Sequence, residues 1–93
     1  MKNPRNITGP EIRRLREAAN WSQPVLAARC ARWGWVLSRE TLAKIEAQVR
    51  WVSDFELVCL ANALGVPPET LLPKKRMSGI LQDCFERLSH REE

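Results

Sequence analysis

The sequence predicts an all-α fold, and three observations carry that prediction. Thr8, Ser22, Ser38 and Ser53 each have an apolar residue just before them (Ile7, Trp21, Leu37, Val52) and another four positions after (Ile12, Leu26, Leu42, Leu57). A capping side chain bracketed in this way is a hydrophobic staple, which fixes how a chain enters a helix. Apolar residues then recur at helical spacing, as in Leu57, Leu60, Ala61 and Leu64. Asn20 and Gly65 fall where the first and fourth runs stop, and these residue types accept the left-handed conformation that ends helices.

The first helix is expected from about Gly9 to Ala19, capped by Thr8 with Glu11 as its reciprocal partner, burying Ile12, Leu15 and Ala19. The second runs from about Gln23 to Arg32 behind Ser22. Pro24 suits its first turn, where backbone N–H groups have no helical partner. Val25, Leu26, Cys30 and Trp33 are its inward candidates, and Ala27 is small where the next helix crosses. Trp33–Leu37 makes the connection, with Gly34 as its hinge. The third helix covers about Arg39 to Ala47 behind Ser38. Gln48 follows it, and in a left-handed conformation would cost about 1 kcal/mol or more. The fourth covers about Asp54 to Leu64, with Ser53 and Glu56 as a capping box and Gly65 as its stop. Trp51, just before it, is expected to pack beneath it. Pro67-Pro68-Glu69-Thr70-Leu71-Leu72 reads as a short fifth helix. After Pro73 and the basic run Lys74-Lys75-Arg76, Ile80, Leu81, Cys84, Phe85 and Leu88 form an amphipathic stripe at helical spacing.

Composition narrows the function classes. At 93 residues and 44% hydrophobic content, with 4 tryptophans, the chain makes one compact domain of modest stability, which an oligomer would raise. No apolar run is long enough to span a membrane, and the first ten residues lack the apolar segment of a secretory signal, so a cytoplasmic location is expected. The 3 cysteines are far apart and there is a single histidine, which speaks against zinc or a disulfide framework. No cofactor or metal is expected. No nucleophile–base pairing or phosphate-cradling glycine loop is visible, so an enzyme is not expected either. Residues 1–50 hold ten Lys/Arg against four Asp/Glu, and residues 51–93 hold five against seven. One half is therefore +6 and the other −2, as befits a domain with one face toward a polyanion.

Two short helices joined by a Gly-containing connection, the second carrying Arg39, Glu40 and Lys44 outward and Leu42 and Ile45 inward, have the layout of a helix-turn-helix unit. Ile12-x-x-Leu15-Arg16, Ser22-Gln23, Leu26-Ala27, Ser38-Arg39-Glu40-Thr41-Leu42, Ile45-Glu46, Asp54-Phe55-Glu56-Leu57 and Ala61-x-x-Leu64-Gly65-Val66 appear in that order. With them the chain from about Ile7 to Pro73 resembles the lambda-repressor-like, Cro/XRE family of helix-turn-helix regulators. The resemblance implies a five-helix bundle whose third helix reads base edges, and an ion pair between Arg16 and Glu46. Two features depart from it. The interval from Ser22 to Ser38 is about five residues longer than usual for such a unit, and includes Trp33, Gly34 and Trp35. Ala47-Gln48 stands where the family often has glycine.

The site expectations follow. Arg39 can donate twice to guanine, Glu40 can accept from cytosine, Lys44 can reach guanine or phosphate, and Thr41 and Ala43 offer methyl groups to thymine. The alternative for this face is a solvated surface with a Glu40–Lys44 pair at i, i+4 spacing. Ser22, Gln23, Ser38 and Arg50 are the phosphate candidates, the first two at a helix N-terminus that favours anions. Lys2 and Arg5 could form a basic arm, and residues 74–76 a solvated linker. Residues 1–73 would be the DNA-binding domain. Residues 74–93 would be a basic linker and a terminal helix whose stripe (Ile80, Leu81, Cys84, Phe85, Leu88) either pairs two copies or folds back on its own bundle. The function expected is a sequence-specific regulator of double-stranded DNA, most simply a dimeric repressor. The alternative is an antitoxin-like adaptor whose main task is to bind a protein partner.

Overall fold

The computed structural model of the chain describes residues 4–73. Four α-helices follow one another, α1 (Gly9–Ala18), α2 (Gln23–Ala31), α3 (Arg39–Glu46) and α4 (Asp54–Leu64), and a single 3-10 turn, Pro68–Leu71, closes the bundle. The described residues contain no strand, so the domain is all-α. The expected fifth helix is this 3-10 turn. Pro68 opens it and Leu72 has already returned to extended backbone, which leaves too few residues for an α-helical turn to propagate.

Three of the four predicted caps form. Ser22, Ser38 and Ser53 have extended backbone, and their hydroxyls accept from the N–H of Val25 (3.3 Å), Thr41 (3.1 Å) and Glu56 (3.2 Å). Glu56 completes the box by accepting the Ser53 N–H at 3.0 Å. Thr8 does not cap. Its backbone is already helical (φ −96°, ψ −19°), so its side chain cannot turn back along the axis, and its buried hydroxyl has no partner. Asn6 takes the role, its Oδ1 accepting the Gly9 N–H at 2.8 Å. Glu11 is left to pair with Arg14.

All four helices end in the same way. The last residues of each helix are closed by two backbone bonds: Asn20 to Glu17 and Trp21 to Arg16 for α1, Gly34 to Ala31 and Trp35 to Cys30 for α2, Gln48 to Ile45 and Val49 to Lys44 for α3, Gly65 to Asn62 and Val66 to Ala61 for α4. These are Schellman endings, which need a left-handed residue at the turn. Asn20, Gly34, Gln48 and Gly65 supply it, with φ of 61°, 90°, 65° and 73°.

Ile12, Leu26, Leu42, Ile45, Leu60 and Leu71 are fully buried, so every element contributes to one core. Between α2 and α4 the Cys59 thiol donates to the Cys30 carbonyl at 3.4 Å. Burial pushes both thiols up, Cys30 to about 12, which keeps them protonated and inert. Four inward assignments are corrected. Ala19 is exposed, because the Schellman turn sends Trp21 to the core instead. Val25 lies off the Leu26–Ala27–Cys30 stripe and is exposed. Trp33 is 56% exposed, since the turn at Gly34 brings Trp35 inward. Trp51 is 62% exposed. It stands in the loop between α3 and α4, where its neighbours, half-buried Arg50 and core-packed Val52, take the inward places.

Candidate nucleic-acid interface

The buried side of α3 comprises Leu42, Ile45 and Glu46, and its other side is open. Glu40, Lys44 and Ala47 are exposed there at helical spacing, with exposed Arg39 at the first turn and half-buried Thr41 and Ala43 beside them. Among the described residues Arg39, Glu40 and Lys44 form no ion pair, so the alternative Glu40–Lys44 pair is absent. Ser38 Oγ also donates to Thr41 Oγ1 at 3.1 Å, which fixes the hydroxyls at the start of α3.

The apolar anchors are joined by a buried charge. Arg16 Nε donates to Glu46 Oε2 at 2.7 Å and Arg16 Nη2 to Glu46 Oε1 at 3.0 Å. The side chains are 11% and 4% exposed. Hydrogen bonding to Glu46 holds the Arg16 proton more tightly than usual, with burial opposing. Arg16 also donates to the Trp21 carbonyl at 2.7 Å, so one guanidinium links α1, the α1–α2 turn and α3.

Gln23, a phosphate candidate, donates through Nε2 to Glu46 Oε1 at 3.1 Å. Its amide nitrogen belongs to the ion-pair network, and its amide position relative to α3 is thereby fixed. Ser22 remains exposed at the start of α2. Arg50 is not a free cation. Its Nη1 and Nη2 donate to Glu56 Oε1 and Oε2, each at 3.0 Å, Nη1 also donates to the Trp51 carbonyl, and the Trp35 ring lies 5.8 Å away. The hydrogen bonds from Arg50 are the main cause of a Glu56 carboxyl held below its usual range, with burial opposing. The sequence gives Glu56 a capping role and does not reveal this second one. A pair six residues apart across a loop has no helical spacing to announce it. The terminal stripe (Ile80, Leu81, Cys84, Phe85, Leu88), the arm residue Lys2 and the run 74–76 lie outside the described residues.

Two residues shape the site that sequence reasoning missed. Gly9 sits where α1 crosses the end of α3, and a Cβ there would collide with the carbonyl oxygens of Ile45 and Glu46. Asn6 reaches the same place: its Nδ2 donates to the carbonyls of Ile45 (3.0 Å) and Arg50 (2.9 Å). An asparagine three residues before a glycine that opens a helix was a readable capping signal.

Residues 12–71 match the helix-turn-helix family model. The crystal structure of a hypothetical transcription factor, NHTF from Neisseria, is similar at a TM-score of 0.67 and 25% identity, over 86% of each chain. No curated protein gives a significant match. An amphipathic third helix held by Leu42, Ile45 and a buried Arg16–Glu46 pair agrees with that match in its residues, and the chain belongs to the lambda-repressor-like, Cro/XRE helix-turn-helix family.

Proposed function

We propose that the protein is a sequence-specific regulator of double-stranded DNA that lays α3 in the major groove, most simply as a dimeric repressor. One observation carries the reading: α3 is fixed from behind by Leu42, Ile45 and Glu46 while Arg39, Glu40 and Lys44 stand exposed and without ion-pair partners among the described residues. Arg39 donates to guanine, Glu40 accepts from cytosine, Lys44 reaches guanine or phosphate, and Thr41 and Ala43 meet thymine methyls. Ser22 and Ser38 lie at helix N-termini and take phosphates. Gln23 has its carbonyl oxygen left to accept. Arg50 keeps N–H groups free beyond those given to Glu56, but the pair is formally neutral, so it releases less counterion than a free cation would. The similar Neisseria protein is itself described as a hypothetical transcription factor, which agrees with this reading. The terminal stripe of residues 80–88 pairs two copies over half-sites about 34 Å apart.

The test is selection of bound duplexes from a random pool. The affinity ratio of the enriched sequence over random duplex is then measured at stated salt. An enriched motif with a ratio of at least about 10³ is expected. A pool that yields no motif would overturn the reading.

A second reading, a module whose main role is to hold a protein partner, draws on apolar residues left in the open. Phe55 is 86%, Val36 88% and Trp51 62% exposed. Phe55→Glu separates the two. It leaves duplex selection intact if base reading is the main task, and abolishes partner capture if the adaptor role is.

A further inference from the structure

We infer that Asn6 is a positioning residue for the reading helix: it clamps the C-terminal end of α3 and so sets the tilt at which Arg39, Glu40 and Lys44 meet the bases. The inference rests on the reading of α3 as the helix that enters the groove. Every polar group of the Asn6 side chain is in use. Its Oδ1 accepts the Gly9 N–H at 2.8 Å, and its Nδ2 donates to the carbonyls of Ile45 at 3.0 Å and Arg50 at 2.9 Å. Two donations to carbonyls and one acceptance from an N–H allow only one orientation of the amide.

The backbone completes the clamp. Gln48, the left-handed residue that ends α3, donates from Nε2 to the Asn6 carbonyl at 3.0 Å, and its own carbonyl accepts the Arg5 N–H at 2.9 Å. Gly9 lets the start of α1 lie directly against the Ile45 and Glu46 carbonyls. Residues 5–9 therefore hold the last turn of α3 and the first residues of the α3–α4 loop together. They do so from partners 39 and 44 positions away in sequence.

The geometry makes this end a pivot. α3 has 8 residues and is about 12 Å long at 1.5 Å per residue. A tilt of about 5° about its clamped end would move Arg39 by about 1 Å over that length. Bidentate donation to a base tolerates little more, because hydrogen bonds weaken steeply outside a narrow range of distance and angle. Core contacts at Leu42 and Ile45 are apolar and non-directional, so they hold α3 down without fixing this angle. The Arg16–Glu46 pair holds α3 through a side chain, and the Asn6 bond to the Ile45 carbonyl adds a directional hold on the backbone of its last turn.

Two variants of the full chain test the clamp. Asn6→Asp keeps the oxygen that caps α1 but replaces the donor with a carboxylate facing two carbonyls. Gln48→Gly removes the amide that supports Asn6 while relieving the left-handed backbone, so it folds even if the first does not. Val66→Ala, at a half-buried core contact beyond the end of α4, serves as the control for a general loss of stability. Each is measured for the affinity ratio of the selected operator over random duplex and for amide hydrogen exchange. Both clamp variants should lower the ratio, Asn6→Asp by about tenfold, the effect of roughly one lost base contact. Exchange should quicken at Gln48 and Val49 while Leu60 is unchanged. A ratio within about twofold of wild type in both folded variants, well inside the cost of one base contact, overturns the inference, as does an equal fall in Val66→Ala. If the wild type shows no sequence preference, the function reading fails on its own. Exchange then decides the clamp alone: local quickening supports it, and uniform rates overturn it.

Discussion

Arg16 and Glu46 share one ion pair, and their neighbours make it costly to break. Glu46 is almost fully buried, and both of its oxygens accept from Arg16, with Gln23 adding a third bond. Arg16→Ala strands that carboxylate and should cost about 3 kcal/mol in urea unfolding. A loss under about 1 kcal/mol, the range of solvent-exposed pairs, would show that water reaches it. Arg39 is the opposite case, exposed and without an ion-pair partner among the described residues. Arg39→Ala should leave stability within about 0.5 kcal/mol of wild type. It should weaken operator binding by about 1–3 kcal/mol and relax preference at one base position. Equal operator affinity in variant and wild type would remove Arg39 from base reading. All three residues were readable in the sequence, Arg16 and Glu46 through the family motif and Arg39 through its place after a capping serine. The bonds by which Asn6 holds the end of α3 and the Arg50–Glu56 pair were not. The Asn6 bonds go to backbone carbonyls, which carry no side-chain signature, and Arg50 meets Glu56 only after the loop has turned.

At the scale of elements, the sequence reads helix starts from short polar residues and helix stops from residues that tolerate positive φ. That logic located α4 from Asp54 to Leu64 without error and α2 and α3 to within a residue. It misassigned the cap of α1 by reading Thr8 for that role when Asn6, two residues earlier, takes it. Thr8 and Asn6 are both capping types, Asn the better one, and the backbone, helical already at Thr8, agrees with Asn6. The error has a measurable consequence. The Thr8 hydroxyl is buried with no partner, so Thr8→Val removes an unsatisfied polar group at constant volume. The variant should be more stable by about 1 kcal/mol, read from the urea midpoint, whereas a true cap would lose a similar amount. One position on, the opposite is expected. Gly9→Ala drives a methyl group into the Ile45 and Glu46 carbonyls and should cost at least about 2 kcal/mol as α1 and α3 separate. The 3-10 turn teaches a related lesson: prolines at 67, 68 and 73 mark its bounds, but the four residues Pro68–Leu71 are too short for an α-helix.

For the molecule as a whole, charge joins stability to association. Residues 1–50 carry the +6 excess; Arg13, Arg14, Arg16 and Arg50 serve ion pairs within the bundle, Arg29 lies over the Trp21 ring, and Arg39 and Lys44 stand exposed without an ion pair among the described residues. The Arg50–Glu56 pair ties the α3–α4 loop to the start of α4, and it makes part of the stability depend on acid. Because Glu56 is held below its usual value of 4.5, its contribution is complete above that pH and is lost as pH falls through the folded value. Glu56→Gln should flatten the decline of stability below about pH 4.5, with an effect near 1 kcal/mol or less since both partners are partly solvated. An acid profile unchanged in slope would assign the decline to other groups. The proposed association draws on the other half of the sequence, where the basic excess ends and the stripe Ile80, Leu81, Cys84, Phe85 and Leu88 follows. A single domain covers one half-site, and a two-fold pair covers two, so the proposed repressor gains operator affinity only if copies associate. Phe85→Glu in the full chain places a charge in the middle of that stripe. Sedimentation should then report a monomer where the wild type is a dimer, and operator binding should lose its dependence on half-site spacing while each half-site is still recognised. A variant that sediments as a dimer would move the two-fold contact elsewhere on the molecule, and a wild type that is already monomeric would leave the stripe to fold back on its own bundle.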